Sequence, residues 1–349
     1  MFVGDIMMHA RQIDGARYDD RYDYNPCFQY IRDVFDSEDF VIGNLECTFS
    51  GSPYSGYPNF RAPDELAGAL KLAGFNCLLT ANNHAFDGGK HGLRRTLQAL
   101  DTLQIAHTGT FTDSLQREER MPLILESNNI RIALLNYTYG TNYFPAGDSA
   151  MVSRIRKAQI AEDVEKARSQ RVDQIVACFH WGREYESVPD ESQTELVTFC
   201  QNLGVDLIVG SHPHILQPIK SVADSTGTIL NLIAYSLGNF ISDYVTPERT
   251  GGAILKIVLE KHANSVTIAE AGYILTWVVR ISDGNRQRYY IVPADRPESM
   301  ANSKMTAEQD KRRQRFLKYA RKLLQNDAAF MSEYRWNAEN KFWYLKPAE

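Results

Sequence analysis

The sequence predicts an α/β protein in which a mixed sheet, or two packed sheets, is covered by helices. Strand-like runs alternate with helix-patterned segments over about the first 210 residues, and after His214 the pattern turns to strands and hairpins. βα units followed by hairpins fit a layered architecture. Of 349 residues, 44% are hydrophobic and 23% charged, as in ordinary soluble globular chains. We expect one large domain over residues 1–298, a linker near Glu298–Lys304, and a C-terminal helical extension over 299–349.

Met1-Phe2-Val3 reads as a strand ending in Gly4-Asp5. It is short for a sheet strand, so upstream residues, such as a signal or an anchor, are expected to be missing from this sequence. Phe40-Val41-Ile42 runs into Gly43-Asn44-Leu45-Glu46. Pro63 to Ala73 reads as a helix, with Pro63 near its start, Asp64 and Glu65 in the first turn and Gly74 as its stop. Phe75 to Thr80 runs into Ala81-Asn82-Asn83-His84, and a helix opening near Gly89 carries Leu93, Leu97 and Leu100 on one face. Its N-terminus would present positive partial charge to an anionic group. Leu123-Ile124-Leu125 and Ile132-Ala133-Leu134-Leu135 flank Ser127-Asn128-Asn129 as a hairpin.

Helices are expected at Ala158–Arg168 and Glu191–Leu203. Between them Ile175 to Phe179 runs into His180-Trp181-Gly182. The β-branched run Val205–Val209 ends in Gly210-Ser211-His212-Pro213-His214, where proline limits the freedom of the segment carrying two imidazoles. Strands are expected at Ile215–Ile219, Ile229–Ala234, Ala253–Leu259 and Tyr273–Val279, and an amphipathic helix from about Thr306 to Asn326. The basic residues Lys311, Arg312, Arg313, Arg315, Lys318, Arg321 and Lys322 on that helix read as a solvated face.

Five strand-like runs therefore end in nitrogen and oxygen ligand types. In open α/β sheets, ligands bind at the carboxyl ends of strands, so these clusters converge in space. Imidazole, carboxylate and amide oxygen without thiolate suit Zn, Mn, Fe or Mg. The five cysteines form no CxxC pair, which argues against a disulfide scaffold or a thiolate site. A net charge of −5 gives no ground for a nucleic-acid partner. No apolar stretch approaches the roughly 20 residues that span a membrane.

In order, Gly4-Asp5, Gly43-Asn44-Leu45-Glu46, Ala81-Asn82-Asn83-His84, His180-Trp181-Gly182, Gly210-Ser211-His212-Pro213-His214 and Tyr235-Ser236-Leu237-Gly238-Asn239-Phe240 resemble the CapA-type capsule synthesis family over roughly residues 1–275. That family is associated with poly-γ-glutamate synthesis or export and is similar to calcineurin-like metallophosphoesterases. The resemblance implies a four-layer α/β/β/α sandwich, two mixed sheets flanked by helices. It implies a place in the cell envelope, periplasmic or membrane-associated. Its implied partners are an anionic polymer or phosphoester, and other capsule synthesis or export proteins.

The resemblance also implies divalent metal ions, two of them, held by Asp5, Asn44, Glu46, Asn83, His180, His212 and His214. Where the phosphoesterases carry a bridging aspartate, Glu46 has the charge that two dications favour, and Asn44 offers a neutral oxygen. Met7 stands where they carry a histidine ligand; His9, the nearest imidazole, is a ligand or a neighbour of the site. Two ions activate a bridging water and neutralise a phosphoryl oxygen. His84 would then give its proton to the leaving oxygen, with Asp87 either orienting it or capping the following helix. Arg61, on a loop, would bind an anionic substrate group, and Tyr137, in the Tyr137–Asn142 loop, would wall the pocket. Glu184 and Asn239 are further candidates beside the cluster, and His91 reads as helix surface. Two functions stay open: a metal-dependent hydrolase, and an accessory protein that binds an anionic chain without cleaving it.

Overall fold

The structure, a computed structural model, describes residues 1–143, 151–263, 265–296, 304–325, 331–337 and 342–345. The apolar runs near the N-terminus form a parallel group in the order β6-β5-β4-β1: β1 (Phe2–Ile6), β4 (Ile42–Leu45), β5 (Cys77–Leu79) and β6 (Ala106–Thr108). Strand β13 (Asn239–Ile241) also pairs in parallel with β1. A second parallel group holds β8 (Ile130–Thr138), β9 (Gln174–His180), β10 (Leu207–Ser211) and β12 (Ile229–Ala234). Antiparallel β7 (Leu123–Ser127) and β11 (Ile219–Ala223) flank it. The hairpin of β14 (Gly251–Lys261) and β15 (Val266–Asp283) joins the groups, since β14 pairs with β1 and β15 with β12. Strand β16 (Arg286–Pro293) extends that hairpin, and β2 (Arg17–Tyr18) and β3 (Arg21–Tyr22) form a separate ribbon.

Successive strand residues point to opposite faces, and this parity builds the layers. Phe2, Ile42 and Leu79 of the first group meet Leu134, Val176, Leu207 and Leu232 of the second in one central core. The alternate positions turn outward. Val3, Leu45 and Leu78 pack with Leu66 and Leu70 of α4 (Glu65–Leu72). Leu135, Ala177 and Ile208 pack with Ile160 and Val164 of α7 (Lys157–Ser169) and Leu196 of α8 (Glu191–Asn202). The result is an α/β/β/α sandwich. Strands buried on both faces read as unbroken apolar runs, and each fully buried leucine contributes about 1.5–3 kcal/mol.

Short helices α1 (Ala10–Ala16), α2 (Asn25–Phe28) and α3 (Arg32–Phe35) complete the first outer layer. Helix α5 (Gly89–Thr102) buries Leu93, Leu97 and Leu100, as its pattern predicts. Helix α6 (Ser114–Arg120) ties to α7 through Arg117 and Asp163, 2.6 Å apart. The expected helices at 63–73, 158–168 and 191–203 and the hairpin all form. Asn128 and Asn129 take φ of +50 and +62 in that hairpin, the sign a two-residue turn of matching twist requires.

Three expectations need correction. Ile215–Ile219 is not a strand; β11 begins only at Ile219, because His214 is left-handed (φ +58) and Pro218 lacks the N–H a ladder needs. The basic face is not wholly solvated. Arg313 is buried, donating to the Ala294 carbonyl and pairing with Asp310, and Arg321 pairs with Glu333 at 2.8 Å. The C-terminal extension is not purely helical. Helix α10 (Ala307–Gln325) places Phe316, Leu317 and Leu324 in the central core, and β17 (Ser332–Asn337) pairs with β15 and β18 (Phe342–Leu345). Apart from Lys304, the expected linker, the boundary at 298–299 and Asn326 lie outside the described residues. Helix α9 (Pro247–Thr250) packs on α10. All five cysteines are buried and free.

Candidate metal centre

The carboxyl ends of β1, β4, β9 and β10 share one edge of the sandwich, and two glycines let the Tyr235–Gly238 backbone pass close to β1 and β10 there. A Cβ at Gly4 would lie 2.0 Å from the Gly238 carbonyl oxygen, and one at Gly210 would lie 2.0 Å from that of Tyr235. Past these points β1 delivers Asp5, β4 delivers Asn44 and Glu46, β9 delivers His180, and β10 runs into His212 and His214. Both latter histidines take left-handed φ, +99 and +58. Such values are uncommon for residues with a side chain and persist only where surrounding contacts hold them.

The side chains converge. Asn44 donates its amide to Asp5 Oδ1 at 2.8 Å and reaches Glu46 Oε2 at 3.4 Å and His180 Nδ1 at 3.3 Å. Asp5 Oδ2 lies 3.0 Å from His214 Nδ1 and accepts from the His212 backbone N–H at 3.3 Å. Glu46 Oε1 lies 3.6 Å from His180 Nε2 and 3.7 Å from His214 Nε2. Asn83 Oδ1 lies 2.9 Å from His180 Nε2. Asn239 Oδ1 sits 3.1 Å from His214 Nδ1. The seven ligands implied by the resemblance, Asp5, Asn44, Glu46, Asn83, His180, His212 and His214, are all buried.

This arrangement fits divalent cations. Asp5, Glu46 and His180 form one group whose ligand atoms lie within 4.8 Å of one another, and Glu46, His212 and His214 form another; Glu46 belongs to both. Glu46 Oε1 and His212 Nδ1 are buried without a hydrogen-bond partner. Leaving such atoms unpaired costs about 1–3 kcal/mol each. Burial, then the nearby Asp5 carboxylate, pushes the Glu46 carboxyl well above its ordinary range. Burial also holds His180 well below its ordinary value and lowers His212 to about 4, so both rings stay neutral, the form that binds metal. A cation would satisfy the orphaned atoms and the clustered acids together.

Beside this cluster His84 Nδ1 lies 2.7 Å from Asp87 Oδ2. The Phe60 backbone N–H donates to the same oxygen at 2.6 Å, and the Phe60 ring meets His84 edge-on with centroids 4.5 Å apart. Burial raises the Asp87 carboxyl, and the hydrogen bond to His84 opposes it. Asp87 is therefore bonded to the imidazole and not to a helix terminus; the residue capping α5 is Gly88. Arg61 follows Phe60, and its charge lowers the Asp87 carboxyl; its Nε is buried without a partner.

Tyr137 does not wall the site. It is fully buried in the outer core, stacked on Phe179, with its hydroxyl donating to Asp163 at 2.7 Å. Tyr139, two residues on and half exposed, is the wall: its ring lies 4.7 Å from His212 and parallel to His180 at 6.2 Å. Tyr137 continues the outward series Ala133, Leu135 along β8, whereas Tyr139 lies just beyond the strand's end at Thr138 and is free to turn toward the site. His9 joins neither ligand group. It packs on Phe60 and Tyr244, accepts from the Asp243 N–H at 3.3 Å, and is lowered to about 4 by burial. Met7 is buried in the first outer core, and His91 is exposed. Tyr244, Asn82 and Ser211, which the sequence does not single out, also line the cluster: the Tyr244 ring is 5.5 Å from His214, Asn82 bonds the Leu45 carbonyl, and Ser211 Oγ is 3.0 Å from His180 Nδ1.

Residues 1–244 match the model of the bacterial capsule synthesis protein family PGA_cap. The chain belongs to this family. It is 30% identical over 283 residues to the PGA biosynthesis protein CapA of Bacillus subtilis (strain 168), covering 75% of this chain and 67% of that one. It is 28% identical over 280 residues to the capsule biosynthesis protein CapA of Bacillus anthracis, covering 76% and 64%. The chain thus spans about two thirds of the length of these curated relatives. Among solved structures it is similar to a putative 5'-nucleotidase from Staphylococcus aureus, at 12% identity and a TM-score of 0.48, covering 91% of this chain and 57% of that one. It is also similar to the calcineurin-like phosphoesterase YfkN from Bacillus subtilis, at 13% identity and a TM-score of 0.44, covering 92% and 97%. All candidate ligands fall within the PGA_cap match, whereas α9, β14 to β18 and α10 lie beyond it. Among the described residues, no helix is long and apolar enough to cross a membrane.

Proposed function

We propose that this chain is a metal-dependent hydrolase of phosphoesterase type, acting at the cell envelope in the synthesis of capsule or a poly-γ-glutamate-type polymer. The observation that carries the reading is Glu46, a buried carboxylate with an unpartnered oxygen that two candidate ligand groups share. Asp5, Glu46 and His180 would hold one divalent ion, and Glu46, His212 and His214 a second, with Asn83 beside His180. Bound Mn, Zn, Fe or Mg ions supply a Lewis acid for a phosphoryl oxygen and an activated water.

The chain's own residues do the rest. In this reading His84 gives a proton to the leaving oxygen from Nε2, and the Asp87 bond at Nδ1 supports that role by orienting the ring. Asn142, 3.5 Å from that Nε2, and Phe60 restrict the ring. Tyr139 walls the His180–His212 side. Arg61 supplies a cation near His84 for an anionic substrate. The envelope polymer comes from the names of the relatives, and the partners proposed are that polymer or its phosphoester precursor and other capsule synthesis or export proteins.

The test is metal analysis of the purified protein together with turnover on a panel of phosphomonoesters and phosphodiesters, beside His84→Ala. Turnover that needs metal and falls in the variant supports the hydrolase. A second reading, an accessory protein that binds an anionic chain through its metals, is favoured by the buried Met7 where the resemblance places a histidine ligand. Bound metal with no turnover on the panel supports that reading.

A further inference from the structure

We propose that Arg249, laid on the ring of Tyr185, anchors a second anionic group of the substrate beside the one that reacts; this rests on the hydrolase reading above. The segment after His180 places Tyr185 at φ +69, an outlier for a bulky aromatic residue. Several contacts hold it there. Its N–H donates to the Pro213 carbonyl at 2.8 Å, Gln217 donates to the next carbonyl, that of Glu186, at 2.9 Å, and its hydroxyl lies 3.0 Å from that of Tyr244. The rings of Tyr185 and Tyr244 stand 6.2 and 5.5 Å from the His214 ring, so the pair forms one wall of the metal centre.

Arg249 Cζ lies 3.5 Å from the Tyr185 ring centroid and 5.8 Å from that of Tyr244. Its backbone is tied to the site through Asn239, whose amide donates to the Arg249 carbonyl at 2.9 Å while its oxygen faces His214. Among the described residues, the guanidinium has no carboxylate within 4.0 Å and no hydrogen-bond partner; Glu184, beside Tyr185, makes no ion pair with it. Arg117, Arg280, Arg321 and Arg335, also half-buried, are each paired with an acid, whereas Arg249 resembles Arg61 in having none among the described residues. Stacking occupies only the π face of a guanidinium and leaves its N–H edge, which matches carboxylate or phosphate in a bidentate fork. Arg61 near His84 and Arg249 near His214 therefore put a cation on each side of the metal centre. That arrangement suits a substrate carrying an oxyanion next to the reacting ester, and a carboxylate or a second phosphate would satisfy it.

The experiment is calorimetric titration of manganese-loaded wild type, Arg249→Gln and Arg249→Lys with orthophosphate, glycerol 3-phosphate, 3-phosphoglycerate and glycerol 1,3-bisphosphate. Wild type is expected to bind at least one of the last two about 10-fold or more tighter than glycerol 3-phosphate, and which one identifies the second oxyanion. Arg249→Gln is expected to abolish that preference and Arg249→Lys to keep part of it, while orthophosphate binding stays unchanged in both. Equal affinities in wild type, a preference that survives Arg249→Gln, or a uniform loss on all four probes would overturn the assignment. Absence of orthophosphate binding to wild type would overturn the hydrolase reading of the metal centre, and this inference with it.

Discussion

Asn44 donates its side-chain amide to Asp5 at 2.8 Å across the β1–β4 register, which places these two residues side by side. The same nitrogen faces Glu46 and His180. Asn44 thus serves as a neutral strut between two acids, and Glu46 is the group that offers an oxygen to both ligand sets. Replacing Asn44 by Asp would put a third carboxylate into a buried acidic cluster. Metal-free Asn44→Asp is expected to lose about 1–3 kcal/mol, and saturating manganese to restore most of it. Urea unfolding with and without chelator checks this; equal losses in both conditions would contradict it.

His84 and Asp87 should act as a unit. His84→Ala is expected to lower phosphoester turnover about 100- to 10,000-fold with metal content unchanged. Asp87→Asn should give a smaller fall, because the imidazole loses the carboxylate that orients it. Metal analysis and turnover of both variants decide this. Unchanged turnover in Asp87→Asn would remove Asp87 from the proton path.

Tyr137 and Tyr139 should respond in opposite ways. Tyr137→Phe removes a buried hydrogen bond to Asp163 and is expected to lower stability by about 1 kcal/mol without changing kcat/KM. Tyr139→Leu should leave stability nearly unchanged and lower kcat/KM. Thermal unfolding beside turnover on one phosphodiester separates the two.

This pair also shows where the sequence is legible. The candidate ligands are readable because each closes a short apolar run whose burial forces it to be a strand, and strand ends gather at one edge. What ran out was the register at which each strand clears that edge. The β8 parity of Ala133, Leu135 and Tyr137 assigns Tyr137 to the helix layer, yet nothing local fixes the end of the strand at Thr138. Ile215–Ile219 differs for a related reason: Leu216 and Ile219 are buried in the central core, but Leu216 makes only an isolated bridge, to Leu237, and not a ladder. Tyr244, Arg249 and β17 take their roles from contacts distant in sequence, which residue patterns do not carry.

Asp295 provides a pH test of how the C-terminal elements dock. Burial, then the neighbouring Glu333 of β17, raises its carboxyl from 3.8 to about 6, against the pull of Arg321 and Arg335. The folded protein therefore holds this proton more tightly than the unfolded chain. The contribution is full below about pH 4 and is lost as pH rises through about 6, on the order of 2–3 kcal/mol. Asp295→Asn, whose side chain cannot ionise, should gain stability relative to wild type on going from about pH 4.5 to about pH 7. Urea unfolding at both values measures it, and a pH-independent difference would show that Asp295 is not held this way.

The most direct measurement is anomalous diffraction at the manganese edge from crystals of the manganese-loaded protein. Two peaks flanking the Glu46 carboxylate, one toward Asp5 and His180 and the other toward His212 and His214, are the predicted result. No peak at that carboxylate, or peaks only elsewhere on the chain, would contradict the account.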